Sequence, residues 1–411
     1  MLLGHLGSLG YITTTLLELG DFYQLSNQPF PAVSGDVYES RLVIGNTIPN
    51  STTTMGLTPA TLNHQPVFGD LVKVKNHGCK ASDYPSGVSG HVAFIQRGTC
   101  SFGVKSAHAG KAGATAAVIY NTDPEAIHGT LGTPDPHHIA TFGLSGREGA
   151  KYAQQLEDGE YLDAIAYMDA EVRTIITTNI IAQTKRGDPE NCVMIGGHSD
   201  SVTEGPGIND DGTGSLSVLE VAVQLAAFDV NNCVRFAWWA AEEEGLLGSD
   251  HYVASLSAAE NKKIRLFMDY DMMASPNFAY QIYDANNEDN PSGSGELKKL
   301  YVDWYEENGL NYTFIPFDGR SDYDGFIRNG IPGGGIATGA EGIKTKEEAS
   351  MFGGQHGEWY DPCYHQLCDD LNNLNLTAWE VNTKVIPIIE IKPLPLLLGC
   401  KGKMANMIFG S

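Results

Sequence analysis

Val193-Met-Ile-Gly-Gly-His-Ser-Asp200 and Val234-Arg-Phe-Ala-Trp-Trp-Ala-Ala-Glu-Glu-Glu244 decide how this chain is read. Each begins with a short apolar run and ends on side chains able to bind a metal. Apolar runs of this length, bounded by turn residues, read as buried strands. Between them, Leu216 to Phe228 has helix-like apolar spacing. Ser257-Ala-Ala-Glu260 is a capping-box pattern that opens a further helix, and Ile264 to Asp269 follows as the next strand. Strand, loop and helix repeated in this way imply an α/β fold, with a mostly parallel sheet and helices on both faces.

The pattern holds over residues 171–384. Residues 1–57 contain a helix, marked by Leu6, Leu9, Ile12, Leu16 and Leu19, and then the extended segment Arg41-Leu-Val-Ile44. Too short for a core of their own, they are expected to join 171–384 as the first part of one domain. Residues 58–170 then form an insertion rich in Gly, Ala and His, with strands at 71–74, 91–95 and 116–120 and a helix from Val104 to Ala112. Residues 385–411 break the pattern: Pro387, Pro393 and Pro395 oppose a regular helix interior, so an atypical tail is expected there.

The 411 residues carry 26 basic and 50 acidic side chains, a formal charge of −24, and 42% are hydrophobic. That is enough apolar material for a sizeable core. A charge this negative argues against nucleic-acid backbones and anionic membrane surfaces as partners. No stretch approaches the ~20 apolar residues that span a bilayer. The best candidate, Ile386 to Leu398, is interrupted by Pro387, Glu390, Lys392, Pro393 and Pro395. The first residues show no signal-peptide pattern, and Met1 is expected to lie downstream of the natural start.

In open α/β sheets, ligands gather beyond the C-terminal ends of the strands. Three successive strands here run into His198-Ser-Asp200, Glu242-Glu243-Glu244 and Asp269-Tyr-Asp271. Asp210 and Asp211 lie on the Gly-rich loop Gly205 to Gly214, and His365 comes much later in Tyr360-Asp-Pro-Cys-Tyr-His-Gln-Leu-Cys368. Such a set suits zinc, which takes imidazole nitrogen and carboxylate oxygen. Two zincs ~3.5–4 Å apart need a bridging carboxylate, and a loop aspartate can supply it. Glu242 is then left over as a general base. Each residue alone has a plainer reading. His198 beside Asp200 could be a hydrogen-bonded pair, Glu242 to Glu244 a solvated acidic run, Asp269 and Asp271 strand-end caps, and His365 part of a disulfide-framed loop. Their convergence at successive strand ends favours the metal.

The strings GGHSDS, GPGINDDGTG, FAWWAAEEEGLLGS, DYDMMASPN, GRSDYDGF and YDPCYHQLCDD, in this order, closely resemble the co-catalytic zinc aminopeptidases, and among them the secreted fungal leucine aminopeptidases and the vacuolar aminopeptidase Y type. HVAFIQRGTCSFGVKSAHAGKAGATAAVIYN resembles a protease-associated (PA) domain. The resemblance implies a zinc-peptidase fold with a mixed, mostly parallel sheet and a small inserted α+β PA domain. It also implies two Zn²⁺ per chain. His198 and Asp271 would hold one zinc, Glu243 and His365 the other, and Asp210 would bridge them. Glu242 would be the general base, Asp200 the partner that orients His198, and Tyr364 the hydrogen-bond donor to the tetrahedral intermediate. Arg320 would help shape the substrate site, and the Asp210–Asp211 peptide would be cis.

The leading function is therefore a metallo-aminopeptidase acting on peptides with a free N-terminus, tolerant of leucine-type apolar residues and expected to be a monomer. A dipeptidase or carboxypeptidase on the same fold would need cationic residues to grip a substrate carboxylate, and Arg320 stands without an arginine cluster. A non-catalytic receptor-like homologue would have lost ligands, and none is lost. Cys363 with Cys368 and Cys79 with Cys100 could form disulfides, while Cys192 and Cys233 are expected as free buried thiols, with pairing open to them if their strands are neighbours. Sequons at Asn50, Asn311 and Asn375 lean, with the cysteines, towards a secreted or vacuolar protein.

Overall fold

The computed structural model describes residues 2–391, with side chains described from Gly10 to Ile386. In chain order its elements are α1 (Leu2–Glu18), β1 (Tyr23–Ile44), β2 (Thr53–Thr54), β3 (Val67–Lys73), β4 (Val92–Gln96), α2 (Phe102–Lys111), β5 (Ala116–Tyr120), β6 (Thr141–Leu144), α3 (Gly146–Glu157), β7 (Asp163–Thr184) and β8 (Asp188–His198). They continue with α4 (Gly214–Leu225), β9 (Asn232–Trp239), α5 (Leu247–Ser255), α6 (Ala258–Lys263), β10 (Ile264–Tyr270), β11 (Gln281–Tyr283), α7 (Ser294–Glu307), β12 (Thr313–Ile315), α8 (Tyr323–Arg328), β13 (Gly333–Ala337), α9 (Lys346–Phe352) and α10 (Leu376–Ile391). Two compact units result. One comprises the described residues up to Phe30 and from Ile176 onward, and the other is Pro31–Ile175. The division at 30/31 falls within β1, which is one continuous strand.

The larger unit is built on a sheet of strand order β12-β11-β13-β10-β8-β9-β7. β8 pairs in parallel with both β9 and β10, β10 with β13, and β11 with β12, while β11–β13 and β7–β9 are antiparallel. The sheet is mixed and mostly parallel. Alternation along the central strands fills both faces. Val193 and Ile195 of β8 face a cluster with α1, α4, α7 and α10, and Met194 faces a second cluster with Tyr252 and Phe326. Parallel strands covered on both sides read as continuous apolar runs for this reason. Each such buried side chain contributes about 1.5–3 kcal/mol, so the strands that carry the site are held rigidly.

Two expectations are corrected here. Helix α10 does not stop before Val385 but continues to Ile391. Ala378, Asn382, Val385 and Ile386 are all buried along one face, and that packing outweighs the helix-breaking character of Pro387. The remainder of the tail, 392–411, lies outside the described residues. Cys192 and Cys233 are not free thiols. The parallel register of β8 and β9 brings their Cα atoms to 4.5 Å, and they form a disulfide.

The smaller unit has the strand order β7-β3-β4-β5-β6-β2, parallel from β3 to β6 and antiparallel at both ends. Ser101 and Ser145 cap α2 and α3 by accepting from Val104 N and Glu148 N. Cys79 is bonded to Cys100, with Cα atoms 5.8 Å apart. Of the sequon asparagines, Asn50 and Asn311 are exposed, whereas Asn375 is half-buried and its Oδ1 accepts from Ala378 N at the start of α10.

Candidate metal centre

Because β10, β8 and β9 are parallel neighbours, their C-terminal ends lie side by side, with His198 opposite Trp239 and Asp269 opposite Gly196. The residues just beyond those ends, Asp271, Glu242 and Glu243, are thereby gathered around His198. Asp210 comes from a wide turn, Ile208–Thr213, that leads into α4, and the Asp210–Asp211 peptide is cis. Two glycines allow the turn to press against the strands. A Cβ on Gly197 would stand 2.5 Å from Asp211 Oδ2, and one on Gly214 would stand 1.9 Å from the Tyr270 carbonyl oxygen. His365 arrives on a loop closed by the Cys363–Cys368 disulfide, whose Cα atoms are 5.3 Å apart.

The imidazoles of His198 and His365 flank Asp210. His198 Nε2 lies 3.2 Å from Asp210 Oδ1, and His365 Nε2 lies 3.2 Å from Asp210 Oδ2. His198 Nε2 is also 3.7 Å from Asp271 Oδ1, and His365 Nε2 is 3.0 Å from Glu243 Oε2. Two groups with ligand atoms all within 4.8 Å of one another result: His198, Asp210 and Asp271, and Asp210, Glu243 and His365. Asp210 belongs to both and offers one oxygen to each. Both Nε2 atoms, Glu243 Oε1 and Asp271 Oδ1 are buried with no hydrogen-bond partner. Leaving a buried polar atom unsatisfied costs about 1–3 kcal/mol, and folded proteins keep few of them. Dications answer all four at once, and nitrogen with carboxylate oxygen is the donor chemistry zinc takes. The residues fit the metal.

The local electrostatics lead to the same conclusion. Burial pushes the Glu242 carboxyl well above the usual range and Glu243 pushes the same way, against the pull of His198. Burial likewise takes Glu243 up to about 7. Burial opposes ionisation of Asp210 as well, yet the imidazoles of His198 and His365 close to its two oxygens hold it well below the usual range. Such a crowd of buried carboxylates is stable only with compensating positive charge, which bound dications provide.

The surroundings orient these groups. Asp200 lies with its Oδ1 3.8 Å from His198 Nδ1, while its two oxygens accept from Glu242 N at 3.2 Å and Glu243 N at 3.3 Å. Tyr364 stacks on His365 with ring centroids 3.9 Å apart, and Arg320 Nη2 donates to Tyr364 Oη at 3.3 Å. Arg320 also grips Glu341 with both terminal nitrogens, at 3.0 and 3.1 Å. Two further contributors, Asp211 and Ser321, were given no role by the sequence. Asp211 accepts from His198 N at 3.1 Å, Gly214 N at 2.9 Å and Met272 N at 3.2 Å, and Ser321 Oγ donates to Asp271 Oδ2 at 2.9 Å. Ala241, Met272 and His365 take left-handed φ values of +60°, +55° and +55°. Non-glycine residues in that region cost roughly 1–3 kcal/mol each and cluster at functional sites. No sequence signal marks them.

The two groups open into a cavity of about 380 Å³ lined by Asp210, Glu242, Glu243 and Asp271 together with Met272, Tyr283, Phe314, Ile315, Pro316 and Ile343. Gln281 and Glu348 add polar atoms, and Arg320 is the one cationic side chain among the described residues that line it.

Two ligand sets that share one carboxylate can hold a pair of metal ions, which places the molecule among the metallohydrolases. Residues 179–387 match Peptidase family M28, and residues 67–152 match the PA domain. The chain is 51% identical over 393 residues to Aminopeptidase Y of Saccharomyces cerevisiae, a match covering 93% of this chain and 71% of that protein. It is 46% identical over 324 residues to Leucine aminopeptidase 2 of Trichophyton equinum, covering 78% of this chain and 65% of that one. It therefore spans about two thirds of that relative's length. An aminopeptidase from Aneurinibacillus sp. strain AM-1 has a similar structure, with a TM-score of 0.74, 28% identity and coverage of 93% of this chain and 86% of that one. The chain belongs to peptidase family M28, as a metallo-aminopeptidase of that family with a PA domain.

Proposed function

We propose that this chain removes leucine-type, apolar residues from the free N-terminus of peptides, using two zinc ions held at the shared Asp210. The observation that carries the reading is Asp210 itself, whose two oxygens face two different imidazoles at 3.2 Å each. His198 and Asp271 complete one site and Glu243 and His365 the other. Zinc bound there supplies a Lewis acid for the scissile carbonyl and a water of lowered pKa. Glu242 belongs to neither ligand group and lies 3.9 Å from His198 Nε2, so its carboxylate is free to take the proton of the attacking water and return it to the leaving amine. Asp200 ties down the backbone of Glu242 and Glu243 and faces the far side of the His198 ring. The Tyr364 hydroxyl, held by Arg320, is available to donate to the oxygen of the tetrahedral intermediate.

Substrate polarity follows from charge. Arg320 is spent on Glu341 and Tyr364, which leaves no free cation for a substrate carboxylate among the described residues that line the cavity, while the cavity's carboxylates suit a terminal ammonium. The apolar walls at Met272, Phe314, Ile315 and Ile343 suit an aliphatic side chain. The disulfides at 79–100, 192–233 and 363–368 support an oxidising location, outside the cell or in a vacuole. Leucyl anilide and its N-acetylated twin test the reading. Cleavage of the free-amine form alone supports it, and cleavage of the blocked form at a similar rate overturns it.

A further inference from the structure

Four residues beyond His365, Asp369 is 1% exposed, and its carboxylate is used entirely on the loop that carries Asp210 and on one amide of its own loop. Its Oδ2 accepts from Asp210 N at 3.1 Å, and its Oδ1 accepts from Asn209 N at 2.9 Å and Asn373 Nδ2 at 3.0 Å. Its own carbonyl oxygen accepts from Ile208 N at 3.0 Å. A second buried carboxylate runs alongside: Asp361 accepts from Asn209 Nδ2 at 2.7 Å, Asn373 Nδ2 at 2.8 Å and Cys363 N at 2.8 Å. Asp369 belongs to neither ligand group, yet it joins the backbone of the shared ligand to the turn that follows His365.

We infer that Asp369 is a positioning residue for the metal pair: by clamping the amides of Asn209 and Asp210, it fixes where the shared carboxylate stands relative to His365. The inference rests on the two-zinc reading of the site. A carboxylate that must serve two ions tolerates little displacement, because a shift that favours one ion lengthens the bond to the other. Backbone amides hydrogen-bonded to an ionised acceptor form a stiff mount for it, since charge-assisted bonds are shorter and stronger than neutral ones. Partners that orient metal ligands in this way change metal affinity or activity by about 10- to 100-fold when they are altered.

The test compares wild type, Asp369→Asn, Asp369→Glu and Tyr305→Phe. The last removes a different buried hydrogen bond, from Tyr305 Oη to Asn382 Oδ1 at 2.7 Å, and controls for lost stability. Zinc affinity is read by competition with a chromophoric chelator, geometry by the visible absorption of the Co²⁺-loaded proteins, and stability by the Tm of the metal-free forms. kcat and KM are measured on the leucyl anilide. Asp369→Asn is expected to bind zinc about 10- to 100-fold more weakly at one or both positions, to alter the Co²⁺ spectrum, and to lower kcat with KM within twofold. Tyr305→Phe is expected to lose Tm while its zinc affinity and spectrum match wild type. If Asp369→Asn does not fold, the decision passes to Asp369→Glu, which keeps the charge but moves both oxygens by one methylene. A weakened affinity and changed spectrum there support positioning. Variants that melt earlier yet bind zinc and turn over as wild type does would show that Asp369 only holds the fold, and would overturn the inference while leaving the function intact. A wild type that binds fewer than two zincs overturns both.

Discussion

Replacing Glu242 with Gln removes one proton acceptor and almost nothing else. The amide has the size of the carboxyl, and the Glu242 N–H that donates to Asp200 at 3.2 Å is untouched. Glu242 is in neither ligand group, so both sets of metal-binding atoms survive the change. Its carboxylate is buried, lines the cavity and lies 3.9 Å from His198 Nε2, beside the two ligand groups. General-base transfer is worth about 10²–10⁴-fold in rate. At about 1.36 kcal/mol per factor of ten, that is about 3–5 kcal/mol of barrier. Steady-state hydrolysis of leucyl anilide by Glu242→Gln should therefore show kcat lowered by about 10²–10⁴, with KM within a few-fold of wild type and zinc content unchanged by elemental analysis. A kcat within tenfold of wild type would remove Glu242 from proton transfer. A loss of zinc would make it a ligand, contrary to the geometry.

Other expectations follow from particular contacts. Gly214→Ala would place a methyl 1.9 Å from the Tyr270 carbonyl oxygen and 2.3 Å from Asp211 Oδ1, so thermal melting should show a loss of at least about 1–3 kcal/mol, the usual cost of overpacking. Converting Cys363 and Cys368 together to Ser opens a loop with a sequence separation of 5, which chain entropy values at about 2 kcal/mol. Because that loop carries His365, chelator competition should show weaker zinc retention even where the global melt moves little. Arg320→Met should lower kcat by about tenfold through a loosened Tyr364, in line with the loss of one preorganised hydrogen bond, and create no activity on N-blocked peptides. A carboxypeptidase activity in the wild type that Arg320→Met abolishes would contradict the account, because Arg320 would then be holding a substrate carboxylate and not Glu341.

Much of the catalytic unit was legible because its physics is local. β8, β9 and β10 are buried on both faces, so they announce themselves as apolar runs, and the side chains able to hold a metal sit at or just past their ends. The insertion was visible for the same reason, through short apolar strands punctuated by glycine. What escaped depends on register or on three-dimensional partners. Asp210 is assigned as the shared carboxylate only through the resemblance, whereas the part played by its neighbour Asp211, which turns towards the amides of His198, Gly214 and Met272, depends on the folded turn. The part played by Asp369 depends on the fold as well, since it acts on a loop some 160 positions away in sequence. Cys192 and Cys233 pair only once β8 and β9 are known to be neighbours. The tail expected from 385 begins inside helix α10 because Pro387 masks the buried helical face that starts at Ala378.

The central claim is a pair of zinc ions sharing Asp210, and titrating zinc into the metal-free enzyme while following both binding and leucyl anilide hydrolysis tests it most directly. The account predicts binding that saturates at two equivalents per chain, with activity returning over the same range and absent for the N-acetylated substrate. Saturation and full activity at a single equivalent would contradict it, because Asp210 would then have no second ion to share.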